Sequence, residues 1–213
     1  MKKFMLTTMI AALLVLPLEG VALAQSPEIP LSDAPVMEEM DFTHGAVPAQ
    51  TNALDSMTPA IHGVILAMLH QEQTQFQPSD PLTGWEALYN MLSLYGQMDD
   101  RADWAEEEMI LPPETVMDYS AALVPNPEDL GELPEDLSDR IVYDGEADGF
   151  RLTCGSDSLA QVELASAQAT DHGLELSGSL VYLVDGTDLA HFQAVLQPAD
   201  NLFGYTILSL ELL

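Results

Sequence analysis

The sequence predicts an α+β fold in which N-terminal helices pack on a curved antiparallel meander of four to five strands. Up to about residue 123, apolar residues recur at the spacing of amphipathic helices. From residue 140 onward they alternate with small or polar residues, which is typical of half-buried strands. Short turn segments separate the strands, so consecutive strands are expected to pair. Helices followed by an antiparallel sheet define the α+β class.

Four helices are predicted in the first part of the chain. Thr58-Pro59 supplies an N-cap and a proline at the first helical position, so the first helix is expected to start there. The second opens on the capping box of residues 83–86 and is stopped by Gly96. A third is expected over residues 103–111. The fourth covers residues 113–123 and turns three apolar side chains inward: Val116, Met117 and Leu123.

The strands begin with a hairpin. Residues 141–143 and 150–154 flank a short acidic turn that contains two glycines, which is a hairpin signal. The other strand segments follow one another through short turns, and they cover residues 159–169, 174–184, 189–197 and 204–212.

The N-terminus has the features of a signal peptide over residues 1–24. Lys2 and Lys3 form a positive n-region, an apolar segment follows, and residues 22–24 match the small-x-small cleavage pattern. The apolar segment is short for a bilayer span, which needs ~20 residues, and an uncleaved anchor is the alternative. We therefore expect export to the bacterial periplasm or secretion, with no membrane insertion after cleavage.

The domain organisation follows from composition. Residues 25–57 are rich in proline and acid and show no apolar period, so they are predicted to be a disordered tether. Residues 58–213 are predicted to form a single α+β domain, with helices in 58–123 and the sheet in 140–213. Cys154 is the lone cysteine, so no intramolecular disulfide is possible, and it is expected to be a buried small apolar residue.

The charge balance limits the partners. The chain carries 35 acidic against five basic residues, a formal net charge of −30, and the only basic residues after the signal are three arginines. Nucleic-acid binding needs a basic surface, so it is not expected, and anionic membrane surfaces are excluded for the same reason. The acidic excess is interpreted as a solubilising surface, an attractant for basic partners or divalent cations, or an adaptation to high salt. A hydrophobic content of 47% is high for a strongly salt-adapted protein, so the solubilising surface and the attraction of basic partners or cations are favoured.

Three segments carry a family resemblance. They are the Asn-x-Phe-Gly-Tyr strand at residues 201–205, the Leu-Pro-Pro-Glu segment at 111–114, and the Tyr-Asp-Gly turn at 143–145. The stretch from about Thr83 to Leu213 thereby resembles the NTF2-like superfamily, and most closely uncharacterised exported bacterial domains with that strand. The resemblance implies an NTF2-like or cystatin-like cone with a pocket at its mouth. Enzymes of the superfamily usually place a His/Asp or Tyr/Asp pair there, and no such pair can be matched in this chain.

One turn has oxygen ligands at alternate positions. Asp144, Glu146 and Asp148 precede Gly149, which resembles the first half of a calcium loop. Gly155 stands where the loop needs a bidentate glutamate, and the segment lies in a hairpin rather than between helices. An ordinary acidic turn is the favoured interpretation, with calcium as the alternative; no other cofactor is expected.

A dense acidic cluster surrounds a tryptophan. Asp99, Asp100, Asp103 and the glutamates at 106–108 are interpreted as a solvated surface, while the alternative is a docking site for a basic protein with Trp104 as an aromatic anchor. Trp104 itself is expected to lie in the core.

No catalytic constellation is present in the sequence. The five histidines lack metal-ligand spacing, and no nucleophile or nucleotide motif occurs. If a ligand pocket exists, we expect it at His191 with Tyr182 or Tyr205 across the sheet. The predicted protein is an exported, monomeric, non-catalytic domain that binds a small ligand or a basic envelope protein. The alternatives are an inhibitor or regulator of a basic cell-wall hydrolase and an NTF2-like enzyme.

Overall fold

The computed structural model describes residues 49–155 and 158–213, so the predicted signal peptide and the predicted tether up to residue 48 lie outside the described residues. The predicted α+β class is confirmed. Three α-helices are present: α1 Ala49–His70, α2 Pro81–Tyr95 and α3 Pro113–Ser120. Eight strands are present: β1 Asp103–Ala105, β2 Glu108–Leu111, β3 Ile141–Asp144, β4 Gly149–Thr153, β5 Ala160–Thr170, β6 Gly173–Tyr182, β7 Asp188–Pro198 and β8 Tyr205–Leu212. Short 3-10 helices cover Gly96–Met98, Pro127–Leu130 and Glu135–Leu137.

The strands form two antiparallel sheets of four strands each. The first has the order β1-β2-β4-β3, and the second is the simple meander β5-β6-β7-β8. The predicted hairpin at residues 141–154 is therefore present as β3 and β4, but it pairs with β2 rather than with the meander. The C-terminal strands pair in sequence order, as their short turns predict.

The helices α1 and α2 lie antiparallel and connect the two sheets. Asn90 of α2 donates a hydrogen bond to the carbonyl of Gly63, while the C-terminus of α1 contacts the N-terminal half of α2. A Cβ at Gly63 would lie 2.5 Å from the carbonyl oxygen of Ala87, so this close helix approach requires glycine. Helix α1 packs against β5 and β8 of the second sheet, and α2 packs against β4 of the first. No helix among the described residues has both the length and the apolar character to span a membrane.

Helix α1 begins nine residues before the predicted start at Thr58, so residues 49–57 are helical rather than part of the tether. Pro59 lies inside the helix, where its missing N–H normally favours a helix start. Tertiary contacts outweigh that local preference. Met57 is fully buried, and the Ser56 hydroxyl donates to the carbonyl of Phe203 at 2.8 Å, which fixes the preceding turn.

The predicted third helix is wrong, because residues 103–111 form the β1–β2 hairpin. Met109 and Leu111 are buried and alternate with half-buried Ile110, which is the pattern of a strand with one face on the core. The turn places Glu106 at φ 61°, a left-handed conformation that is uncommon outside glycine, asparagine and aspartate. A glutamate at that position gives no turn signal in the sequence.

Helix α2 starts three residues earlier than its predicted capping box. Asp80 is the N-cap, its carboxylate accepts from the Leu82 N–H at 3.2 Å, and Pro81 occupies the first helical position. Thr83 lies inside the helix and donates its hydroxyl to Asp80 at 2.7 Å, and this bond lowers the pKa of the Asp80 carboxyl. The predicted stop at Gly96 is confirmed, since the helix ends at Tyr95.

Candidate functional site

The most apolar cavity described in the protein lies where α2, α3, the Pro127–Leu130 turn and the β3–β4 hairpin meet. It has a volume of about 310 Å³ and is called the aromatic groove below. Its walls and floor are formed almost wholly by apolar side chains, from Trp85, Leu88, Pro113, Val116, Met117, Ser120, Pro127, Leu130, Tyr143 and Phe150. A cavity of this size is large enough for one large apolar side chain or a small organic molecule.

Three rings form one wall of the groove. Tyr143 and Phe150 are register partners on β3 and β4, and their ring centroids lie 5.4 Å apart in an edge-to-face arrangement. Trp85 of α2 lies against the same phenylalanine, with centroids 6.4 Å apart. The indole N–H donates to the carbonyl of Gly131 at 3.2 Å, so its one polar atom is satisfied outside the groove. The rings therefore present apolar surface to the cavity.

Helix α3 forms the opposite wall. Met117 was predicted to point inward, but 54% of the residue is exposed, whereas Val116 one position earlier is buried. The hydroxyl of Ser120 donates to the carbonyl of Met117 at 2.8 Å, which turns this polar group back onto its own helix. Methionine is flexible and polarizable, so it adapts to bound groups of different shape. The groove is thus suited to apolar contact, and its lining contains no paired acid and base.

Carboxylates lie at the edge of the groove. The Tyr143 hydroxyl donates to Asp148 at 2.7 Å, and this bond, more than any other cause, raises the pKa of the phenol. Asp148 has φ 49°, a left-handed conformation that aspartate tolerates better than most residues. Glu114 follows the lining residue Pro113 in the first turn of α3, Glu128 follows the lining residue Pro127, and both glutamates are exposed. Three separate elements therefore carry an acid next to a lining residue, and Glu114, Glu128 and Asp148 are called the edge acids below.

The three arginines of the described residues are all engaged by carboxylates. Their charges are neutralised within the fold, so they offset little of the negative potential outside it. The pairs are Arg101 with Asp99 and Asp118, Arg140 with Glu86, and Arg151 with Asp144 and Glu108.

The predicted pocket residues are not all brought together. His191 lies opposite Ser179 on β6 and accepts or donates a 2.8 Å hydrogen bond with its hydroxyl. Tyr205 lies opposite Pro198, seven residues further along β7, which is about 23 Å along a strand. Tyr182 lies opposite Ala160, only three residues along β6 from Ser179, the register partner of His191, so the pair of His191 and Tyr182 stays a prediction. A site that joins His191 to Tyr205 is therefore incompatible with the register.

Tyr205 does line a different cavity, of about 480 Å³, at the β5–β6 turn. That cavity is bordered by Asp171 and His172, both exposed in the turn, and by Gln197. Its lining mixes apolar side chains such as Leu174 and Pro198 with polar ones, and Asp171, His172 and Gln197 share no described side-chain hydrogen bond that would hold a catalytic geometry.

The acidic turn at residues 144–148 uses its oxygens for structural bonds. Asp144 accepts from the guanidinium Nε of Arg151 at 2.7 Å and from the backbone N–H of Glu146 at 2.8 Å. The Arg151 bond is the main cause that lowers the pKa of Asp144. Asp148 accepts from Tyr143 instead. Within the described ranges, no group of three His, Cys, Asp or Glu side chains converges as a metal site. Calcium at Asp144, Glu146 and Asp148 stays an untested prediction.

The acidic cluster around Trp104 is divided in two. Asp99 is bound by Arg101, whose hydrogen bond lowers the pKa of this carboxyl, whereas Asp100 and Asp103 are exposed. Trp104 was expected in the core, but it lies on β1 at the sheet edge and is 49% exposed. The backbone N–H of Trp104 donates to the carboxylate of the adjacent Asp103. The docking prediction for Asp99, Asp100, Asp103 and Trp104 remains open, with Asp99 already paired.

Two histidines of α1 have structural partners. His62 is 2% exposed and contacts the Tyr95 hydroxyl at 2.8 Å through Nδ1, and burial lowers its pKa to about 4. His70 contacts the buried carboxylate of Glu86, which also accepts from Gln71 at 2.7 Å. The bonds of Glu86 fasten the end of α1 to α2. Both histidines were interpreted as structural, and these partners are consistent with that interpretation.

Cys154 is half-buried rather than fully buried. Burial is the main cause that raises the pKa of its thiol. A thiol with a raised pKa is a weak nucleophile at neutral pH, so the surroundings of Cys154 do not favour a reactive thiol.

No family model, no curated protein and no solved structure matches the chain. The NTF2-like resemblance therefore stays a prediction.

Sequence reasoning missed the aromatic groove. The sequence assigns residues 83–86 only to a capping box and Tyr143 only to the predicted hairpin. The residues that complete the groove come from four separate elements of the chain. Two sequence features lie at the aromatic groove. One is a proline followed by an acid, at 113–114 and again at 127–128. The other is an aromatic residue on each strand of the β3–β4 hairpin.

Proposed function

We propose that this protein is an exported, non-catalytic binding domain, whose ligand inserts an apolar group into the aromatic groove. The ligand is a small molecule or a basic protein of the cell envelope. The observation that supports this proposal is an apolar cavity of about 310 Å³ that is open to solvent and walled by three rings. Exposed apolar surface of this kind usually marks a contact site.

The lining favours binding over catalysis. Acid–base and nucleophilic mechanisms need a nucleophile and a base within hydrogen-bond reach of each other. The hydroxyls of Ser120 and Tyr143 are the polar side-chain groups of the lining that could react, and each is already bonded elsewhere. An NTF2-like enzyme would require a second, polar pocket. An inhibitor of a basic cell-wall hydrolase would also bind a basic protein, so this alternative is a special case of the proposed binding domain.

Introducing a charge into the groove should abolish apolar binding. We expect Met117→Glu to weaken binding of the neutral dye N-phenyl-1-naphthylamine by at least about tenfold, because the carboxylate would lose hydration beside an apolar ligand. The measurement is a fluorescence titration, with circular dichroism to verify folding. A neutral dye avoids the repulsion that an anionic dye would meet.

Met98→Glu is the matched control, since Met98 is 68% exposed, lies outside the groove and adds the same charge. We expect this variant to bind the dye as the unmodified protein does. Equal binding by all three proteins, or no binding to the unmodified protein, would exclude the groove as the ligand site.

A further inference from the structure

Building on the proposed function, we propose that the ligand of the aromatic groove is a basic polypeptide segment. One apolar side chain enters the groove, and flanking lysines or arginines contact the carboxylates at its edge. Two observations carry this proposal. Exposed Glu114 and Glu128 directly follow lining residues in the chain, and Asp148 accepts a hydrogen bond from the lining residue Tyr143, in a protein whose formal net charge is −30.

The acids are tied to the groove by short distances. Glu114 and Glu128 are next to the lining residues Pro113 and Pro127 in the chain, so their Cα atoms lie about 3.8 Å from those of the lining residues. The carboxylate of Asp148 is fixed by the hydroxyl of Tyr143, itself a lining residue. Each acid therefore belongs to a segment that also contributes a side chain to the groove or, for Asp148, is bonded to one.

The charge at the edge is not compensated from within the fold. Arg140 is occupied by Glu86 and stacks over the ring of Tyr89 at 5.1 Å from its centroid. Arg151 lies on β4 next to Phe150, but adjacent strand residues point to opposite faces, and it pairs with Asp144 and Glu108. Among the described residues, no arginine pairs with the three edge acids, so we infer that their cations come from a partner.

The spread of the acids selects a polypeptide over a small cation. The three carboxylates belong to the start of α3, the Pro127–Leu130 turn and the β3–β4 turn, and no three acids of the described residues converge on one cation, so one ammonium group is not expected to pair with all of them. A chain with several basic side chains around one apolar residue can. Anionic lipids, which would also offer apolar groups, are repelled by the same acids.

Peptide titration tests the proposal. Trp85 is one of two tryptophans, so a Trp104→Phe background makes it the sole reporter of the groove. The probe is a blocked peptide with one leucine between two pairs of lysines. One companion peptide has glutamine for every lysine, and the other has glycine for the leucine. Each exposed ion pair contributes roughly a two- to fivefold gain in affinity. We therefore expect the lysine–leucine peptide to bind about tenfold more tightly than the glutamine peptide.

The protein variants locate the charge effect. Combining Glu114→Gln, Glu128→Gln and Asp148→Asn should weaken the lysine–leucine peptide by about tenfold and leave the glutamine peptide unchanged. Asparagine suits the left-handed backbone at 148 and keeps an acceptor for Tyr143. The matched control combines Glu163→Gln, Glu175→Gln and Glu211→Gln, which are exposed on the second sheet and change the net charge equally. We expect this control to bind within about twofold of the parent.

Three outcomes would overturn the proposal: equal affinity for the lysine and glutamine peptides, an equal loss in both triple variants, or no change in Trp85 fluorescence with the lysine–leucine peptide. If the neutral dye still binds and Met117→Glu still removes it, the proposed function stands and only the basic polypeptide is excluded. If dye binding also fails, the groove itself is excluded.

Discussion

Phe192→Ala should lower the free energy of unfolding by about 4 kcal/mol, since removing a fully buried aromatic side chain costs ~3–5 kcal/mol. Phe192 lies at the centre of the second sheet, and its ring packs directly on its register partner Gly178. A Cβ at Gly178 would lie 3.0 Å from the ring and 2.3 Å from the carbonyl oxygen of Glu163. The backbone therefore cannot close easily on the space that the ring leaves. Urea unfolding, followed by circular dichroism, measures the loss.

Gln193→Ala is the control for that measurement. The residue is adjacent on β7 but exposed on the opposite face, so its replacement should change the unfolding free energy by less than about 0.5 kcal/mol. If Phe192→Ala lowered the free energy of unfolding by less than about 1.5 kcal/mol, the result would contradict the packing of the helices on this sheet.

Acidification should destabilise the protein through His62. Its pKa in the folded state is about 4, because burial disfavours the charged ring, whereas an unfolded histidine titrates near 6.5. Between these values the unfolded chain binds a proton that the folded protein does not. The stabilisation from neutral His62 is therefore complete above pH 6.5 and is lost as the pH falls toward 4. The total loss is roughly 3 kcal/mol, of which about 2 kcal/mol falls between pH 7 and pH 5.

The variant His62→Gln isolates this effect from the titration of the carboxylates. This variant lacks the titrating ring but keeps all the carboxylates. Between pH 7 and pH 5 its unfolding free energy should therefore fall by about 2 kcal/mol less than that of the parent protein. His172→Gln, in an exposed turn, should keep the slope of the parent. If His62→Gln and the parent show the same slope, burial does not hold the ring neutral.

The strands of the second sheet were predicted well because each one carries its own signal. Residues 173–182 alternate buried and exposed side chains along most of β6, and two-residue turns such as Asp171-His172 fix the pairing. The β1–β2 hairpin was missed because its information is not local. Met109 and Leu111 have the two-residue spacing of a strand, but strands of three and four residues are too short to show a clear period, and only their contact with the core under α2 fixes the strand.

The groove could not be predicted for a related reason. Its ten lining residues are spread from Trp85 to Phe150, and no short window contains more than a few of them. Their convergence depends on where the β3–β4 hairpin pairs, and the sequence predicted its existence but not its partner. Met117 is informative here: helical spacing alone placed it inward, whereas the groove leaves it open to solvent. A binding surface made by packing several elements has no linear pattern.

The engagement of every described arginine by a carboxylate has a consequence for resistance to proteases. Trypsin-like proteases cut after lysine or arginine in extended, unrestrained segments. Lys2 and Lys3 are the only lysines of the chain, and the arginines are held in ion pairs within or beside folded elements. The folded domain therefore offers such enzymes very few places to begin digestion.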